Sequence, residues 1–159
     1  MKIHIIGGPG SGKTTLSRKI SNHFNCNILH LDDVAYDKGD FDRPTAREYR
    51  LTQVSRFTKG DSWVIEGVYF SWVGSSFKHC DRIILLSLDK CSRRANIIYK
   101  LATRKDLTIE QREEQRARLL KSNDQFDDLF KERISGFLKK FENKIVTVNG
   151  SEFDPKELL

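Results

Sequence analysis

Five short apolar runs, separated by amphipathic and charged stretches, frame this chain: Lys2–Ile6, Asn27–Leu31, Ser62–Glu66, Arg82–Leu88 and Lys144–Val148. Within the fourth, Ile83-Ile84-Leu85-Leu86 is unbroken, as in a strand covered on both faces. Asn27–Leu31 is the weakest of the set. The segments between them read as helices over about Lys13–Phe24, Ala46–Lys59 and Lys90–Thr103. A long charged stretch, Ile109–Phe141, is predicted to hold two more. Thr108 followed by Gln111 is a capping-box pattern that starts the first. Ser122-Asn123-Asp124 interrupts the stretch and caps the second, whose apolar stripe is Leu129, Ile134, Phe137, Leu138 and Phe141. Phe153–Leu159 reads as a short docked turn. Strands alternating with helices predict an α/β fold around a mostly parallel sheet, in one domain spanning residues 1–159.

Composition narrows the function classes. No apolar run approaches the roughly 20 residues of a membrane helix. The N-terminus leads straight into a strand with no leader-like run, so the expected setting is cytoplasmic and away from membranes. Cys26, Cys80 and Cys91 are odd in number and lack C-x-x-C spacing, which argues for reduced thiols. The net charge of +6 would suit a phosphate-rich ligand or a polynucleotide. Basic and acidic residues alternate, however, as in Arg112-Glu113-Glu114-Gln115-Arg116, which favours solvated helix faces. No helix-turn-helix, zinc-finger or aromatic nucleic-acid platform is present, so a nucleic-acid partner has no motif behind it.

The first apolar run ends in Gly7-Gly8-Pro9-Gly10-Ser11-Gly12-Lys13-Thr14-Thr15, which contains G-x-x-x-x-G-K-[ST] between a strand and an amphipathic helix. Glycines let successive backbone N–H groups turn toward phosphate oxygens, and the helix adds its open N–H groups and positive dipole end. The expected ligands are ATP, with Lys13 reaching the outer phosphates, and Mg²⁺, with Thr14 supplying a hydroxyl.

Further candidates gather at the carboxyl ends of strands, where open sheets bind ligands. Asp32 follows the second run and either orders water on Mg²⁺ or receives an acceptor proton; a turn cap is the alternative. Asp33 stands beside it, and Asp37, Asp40 and Asp42 lack the spacing of a calcium loop. Glu66 ends the third run and can bind a metal-bound water or an acceptor hydroxyl, while Gly67 permits close backbone approach. Tyr69, Phe70 and Trp72 either floor an acceptor pocket or simply pack. A planar guanidinium suits a phosphoryl group in transit. Arg43, Arg47 and Arg50 lie on the acceptor side, and Arg93, Arg94, Lys100, Arg104 and Lys105 beside an expected mobile loop.

These motifs together resemble the small kinases of the adenylate-kinase-like P-loop superfamily. More narrowly, the chain resembles the bacterial topology modulation proteins, a flagellar-regulator-related group. The resemblance rests on Ile3–Thr14, His30-Leu31-Asp32, Trp63-Val64-Ile65-Glu66-Gly67-Val68-Tyr69 and Cys91-Ser92-Arg93-Arg94, and covers nearly the whole length. It implies a three-layer P-loop NTPase fold, a five-stranded parallel sheet of order 2-3-1-4-5 with helices on both faces. It also implies that Arg94 opens a lid and lies near the nucleotide, that Arg104 is a lid arginine, and that Asp32 serves magnesium and acceptor. Glu66 takes the place of an Asp in that group, and Asp33-Val34-Ala35-Tyr36 replaces its small, bulky and Trp positions.

The sequence therefore predicts an ATP- and Mg²⁺-dependent kinase, similar to the nucleoside monophosphate kinases, acting on a nucleotide or another small hydroxylated or phosphorylated acceptor. Lys13, Asp32, Arg94 and Arg104 are the expected catalytic residues, and Thr14 and Asp32 the metal-side ones. Asp33, Arg43, Glu66, Gly67 and Tyr69 are expected to bind the acceptor, on a segment of about residues 33–60, with a short lid of about 100–108. The alternative is an ATP-binding regulatory or nucleic-acid-associated protein with slow ATPase activity. Either would be a monomer or homodimer.

Overall fold

Side chains of the first strand, β1 (Lys2–Gly7), serve two cores by turns. Ile3 and Ile5 join Leu16, Ile20, Val64 and Ile84 on one face. Ile6 joins Trp63, Ile65, Phe77 and Ile83 on the other. A strand buried on both faces belongs at the centre of a sheet. In the computed structural model, which describes residues 1–37, 40–150 and 153–158, β1 holds that central place. The other strands are β2 (Asn27–His30), β3 (Trp63–Glu66), β4 (Arg82–Ser87) and β5 (Ile145–Asn149). They are parallel throughout and lie in the order 2-3-1-4-5. Ile5 and His30 flank Glu66 in register, so the ends of β1, β2 and β3 form one edge.

Helix α1 (Lys13–Phe24) covers the first face with Leu16 and Ile20. The opposite face is covered by α4 (Gly74–His79) and by the C-terminal helical stretch, through Phe126, Ile134 and Leu138. An aromatic cluster of Phe70, Phe77, Phe137 and Phe141 seals it, with ring centroids 5.1 Å apart for Phe77 and Phe137. After β2 come α2 (Leu31–Ala35), an antiparallel hairpin of Tyr36–Asp37 with Asp40–Pro44, and α3 (Arg47–Phe57). After β4 come α5 (Lys90–Ala102) and α6 (Ile109–Leu129).

The long charged stretch departs from expectation. α6 runs unbroken through Ser122-Asn123-Asp124, and the irregularity comes later, as a π-helical turn at Phe130–Ile134 followed by α7 (Ser135–Leu138) and a 3₁₀ segment, Lys139–Lys144. Asparagine breaks helices when its amide competes for nearby backbone groups. Here Asn123 is buried and its amide is taken elsewhere: Nδ2 donates to Lys90 O and Oδ1 accepts from Arg93 Nε. The Thr108 capping box is present, with Gln111 N donating to Thr108 Oγ1 and Thr108 N to Gln111 Oε1. The short α4 and the hairpin have no counterpart among the elements the apolar pattern predicts. The tail folds into a 3₁₀ turn at Pro155–Leu158 with Phe153 against the α1 core, and Leu159 lies outside the described residues. The three cysteines are free, and no described helix is long and apolar enough to cross a membrane.

Candidate active site

Glycine is required at two points of the turn from β1 into α1. Gly10 and Gly12 have φ of 75° and 96°, in the left-handed region. A Cβ on Gly10 would also lie 2.4 Å from Arg93 O. Gly12 caps α1 without a side-chain bond, which leaves first-turn N–H groups open. The buried Ser11 hydroxyl has no hydrogen-bond partner. Unused donors around a glycine loop at a helix N-terminus fit an anionic ligand such as a phosphate chain.

Lys13 arches back over this loop, its Nζ donating to Gly8 O at 3.0 Å. Burial depresses its pKa; the Glu66 and Asp32 charges oppose that, and Lys100 and Arg93 add to it. An anion at the loop would relieve this penalty on the charged amine. Thr14 Oγ1 donates to Glu66 Oε1 at 2.9 Å, and His30 Nδ1 donates to the same oxygen at 2.8 Å. Burial alone would raise the Glu66 pKa, but the His30 bond, the Lys13 charge and the Thr14 bond outweigh it and hold the carboxyl below its ordinary value. The bond to Glu66 in turn raises the pKa of His30. Lys13, Thr14, Glu66 and His30 thus form one row from the loop to the end of β2.

Asp32 stands in the first turn of α2 rather than on β2 itself, and its Oδ1 accepts from Tyr69 OH at 2.7 Å. Burial, then Asp32, raises the Tyr69 pKa, so the phenol stays protonated and donating. Gly67, with φ 146°, brings the end of β3 against Leu31: a Cβ there would be 2.7 Å from Leu31 Cβ. Asp33 lines a cleft of about 460 Å³ together with Tyr36, Asp37, Thr45, Ala46 and Tyr49. Trp72 is buried beside Tyr69 and takes the guanidinium of Arg50 over its ring at 5.8 Å. Among the described residues no group of three or more His, Cys, Asp or Glu side chains is placed to hold a metal by itself.

The arginines near the loop differ in placement. Arg94 and Lys105 are exposed, and Arg104 is occupied by Asp106, with Nε to Oδ1 at 2.6 Å. Arg43, on the hairpin, is engaged by an interaction of its own. Arg93, by contrast, is 4% exposed and lies against the loop, where a Cβ on Gly8 would meet its Cδ at 2.9 Å. It donates to Asn123 Oδ1, Leu88 O and Asp127 Oδ1, and its guanidinium covers the Phe126 ring at 5.1 Å. Asn96, one turn on, donates to Gly10 O at 2.9 Å. The buried stripe of α5 is Arg93, Ile97 and Leu101, a spacing of four that marks the inward face. That periodicity was the available signal for Arg93.

No family model matches the chain, and no curated protein matches it. Solved structures do. A gluconokinase from Sinorhizobium meliloti 1021 superposes with a TM-score of 0.55 at 11% identity, over 98% of this chain and 85% of that one. A shikimate kinase from Bacteroides thetaiotaomicron superposes with a TM-score of 0.56 at 15% identity, over 99% of this chain and 96% of that one. The chain's α/β architecture, a five-stranded parallel sheet between helices, is thus shared with these two kinases as a fold.

Proposed function

We propose that this protein is an ATP-dependent phosphotransferase that moves the γ-phosphoryl group to a small hydroxylated acceptor. One observation carries the reading: Lys13 and Thr14 of an open glycine loop meet the buried carboxylate of Glu66 at the carboxyl edge of the sheet. The layout supports a nucleoside-monophosphate-kinase-like plan, with acceptor segment 33–60 and lid 100–108, in the adenylate-kinase-like and topology-modulation manner. The loop amides and Lys13 hold the phosphates. Thr14 would hold Mg²⁺ through its hydroxyl, with Glu66 and Asp32 beside it, and the ion would supply neutralisation of phosphate charge. Arg94 and Arg104 join as the lid closes. Tyr69 occupies one oxygen of Asp32 and leaves the other for the acceptor hydroxyl. The acceptor oxygen bonds to the γ-phosphorus as that phosphorus loses its bond to the bridging oxygen. That electron pair leaves with ADP, and the hydroxyl proton passes to Asp32. The cytoplasm supplies ATP and magnesium for such a reaction.

Acceptor-dependent ADP release tests this directly. Calorimetry with ATP·Mg²⁺ provides the second check. Lys13→Ala should stay folded and bind at least about tenfold more weakly, since a charged contact to phosphate is worth more than 1.4 kcal/mol. Equal affinity would remove the loop from the function.

A further inference from the structure

We propose that His30 is a positioning residue: it holds the Glu66 carboxylate at the end of β2, and so keeps that carboxylate off Lys13 and leaves the ammonium for an incoming phosphate. The inference rests on the phosphate-binding reading of the glycine loop and adds a residue to it. Lys13 opens α1, and Glu66 ends β3 as the register partner of Ile5 on β1. The Glu66 carboxylate is buried, and no other charge acts on Lys13 as strongly. Away from water an ammonium and a carboxylate attract each other over several ångströms. Left to that attraction, Glu66 would turn to Lys13, and an arriving phosphate would have to break the pair.

That pair is not made. Lys13 Nζ donates to Gly8 O at 3.0 Å, and the ion pair of Glu66 is with His30 instead. His30 and Glu66 are register partners on the neighbouring parallel strands β2 and β3, so their side chains leave the sheet on one side. His30 Nδ1 lies 2.8 Å from Glu66 Oε1. An ionised carboxylate only accepts, so the imidazole proton on Nδ1 is in that bond. Thr14 Oγ1 donates to the same oxygen at 2.9 Å. Thr14 is the neighbour of Lys13 on α1, and its bond alone would leave the carboxylate beside the ammonium. The bond from His30 draws it toward β2.

Other roles for His30 make different predictions. If it served phosphate by its own positive charge, a neutral donor in its place would fail. If it only filled space, a leucine would serve as well. Acting through Glu66, it needs only an N–H aimed at the carboxylate. It also becomes dispensable once Glu66 carries no charge, because nothing then competes for Lys13.

Tripolyphosphate in EDTA, titrated by calorimetry into the full chain at one fixed pH near neutrality, reads the loop without metal or acceptor. Each variant is first checked by circular dichroism, and His30→Ala replaces His30→Leu if the latter does not fold. His30→Leu should bind at least about tenfold more weakly than the parent. His30→Asn, whose amide offers a neutral N–H, should stay within about threefold of the parent. In a Glu66→Gln background, His30→Leu should change affinity by less than about twofold. Three results each overturn the inference: His30→Leu binding like the parent, His30→Asn falling as far as His30→Leu, or the full loss persisting over Glu66→Gln. With tight binding by the parent, such a failure leaves the loop reading standing. A parent that binds neither tripolyphosphate nor ATP·Mg²⁺ overturns the loop reading, and the inference falls with it.

Discussion

Glu66 accepts two hydrogen bonds on one oxygen, from Thr14 and from His30, while Asp32 gives one of its oxygens to Tyr69. The two carboxylates therefore stand in different surroundings, one tied to the glycine loop and one to Tyr69. Asp32→Asn keeps the size of the side chain and its bond from Tyr69 but cannot take a proton. Turnover should fall about 100-fold, with KM for ATP within about threefold, because general-base help is concentrated at the reacting atoms. Steady-state kinetics decides it; near-parental turnover removes Asp32 from the mechanism. At this scale the glycine loop was legible because its geometry is written in consecutive residues. Arg93 was not. Arg93 and Arg94 are adjacent in sequence, yet about 100° of helical rotation separates them, and composition alone cannot choose the face. The pairing of His30 is not legible in the sequence, since its partner Glu66 lies on another strand.

Among the elements, α6 owes its continuity and its position to one buried arginine. Arg93 reaches across from α5 to Asn123 and Asp127, and Asn123 returns a bond to Lys90 O. Asn123→Ala would strip a partner from a buried guanidinium, so it should destabilise the fold by about 2 kcal/mol. Urea unfolding measures this, and a loss below about 0.5 kcal/mol would show that water or relaxation replaces the amide. From sequence alone Asn123 is a helix breaker, because propensity describes a solvated asparagine. The segment joining α5 to α6 is different in kind. Ile109 is 70% and Tyr99 74% exposed, and Arg104 is bonded to Asp106 on its own loop. Hydrogen exchange across about residues 100–108 should slow when a bisubstrate analogue binds. Exchange unchanged by any nucleotide analogue would count against a closing lid.

For the molecule as a whole, the alternation of apolar runs carried the fold class, because each run fills one strand of a sheet buried on both faces. What it could not carry was the short α4, which lacks a capping side chain, and a hairpin of two and five residues. Buried titratable groups make global stability depend on pH. Burial lowers His4 from 6.5 to about 4, outweighing the Gly67 backbone and the Glu66 charge, which raise it. The unfolded chain therefore takes up this proton first. Stability from His4 is complete above pH 6.5 and drains as pH falls to about 4, by roughly 3 kcal/mol. Glu66, with its lowered pKa, adds to the loss as pH falls further. His30, with its raised pKa, acts oppositely: its contribution is full below 6.5 and lost as pH climbs through the raised value. Chemical denaturation of the parent and His4→Phe from pH 7 to pH 4 checks the main effect. The acid slope should flatten in the variant; parallel curves would mean that His4 does not carry it.

Translation builds this protein in an order opposite to the one in which its loop becomes framed. Residues 7–14 leave the ribosome before residues 63–66 and 82–87, which flank their strand. The groups that seat Arg93 against the loop are Asn123 and Asp127. At about 5–20 residues per second, a nascent chain carries the complete nucleotide motif for on the order of ten seconds before it can be held in shape. Until then the motif is an unframed glycine loop, and a stalled ribosome would present the signature without the site.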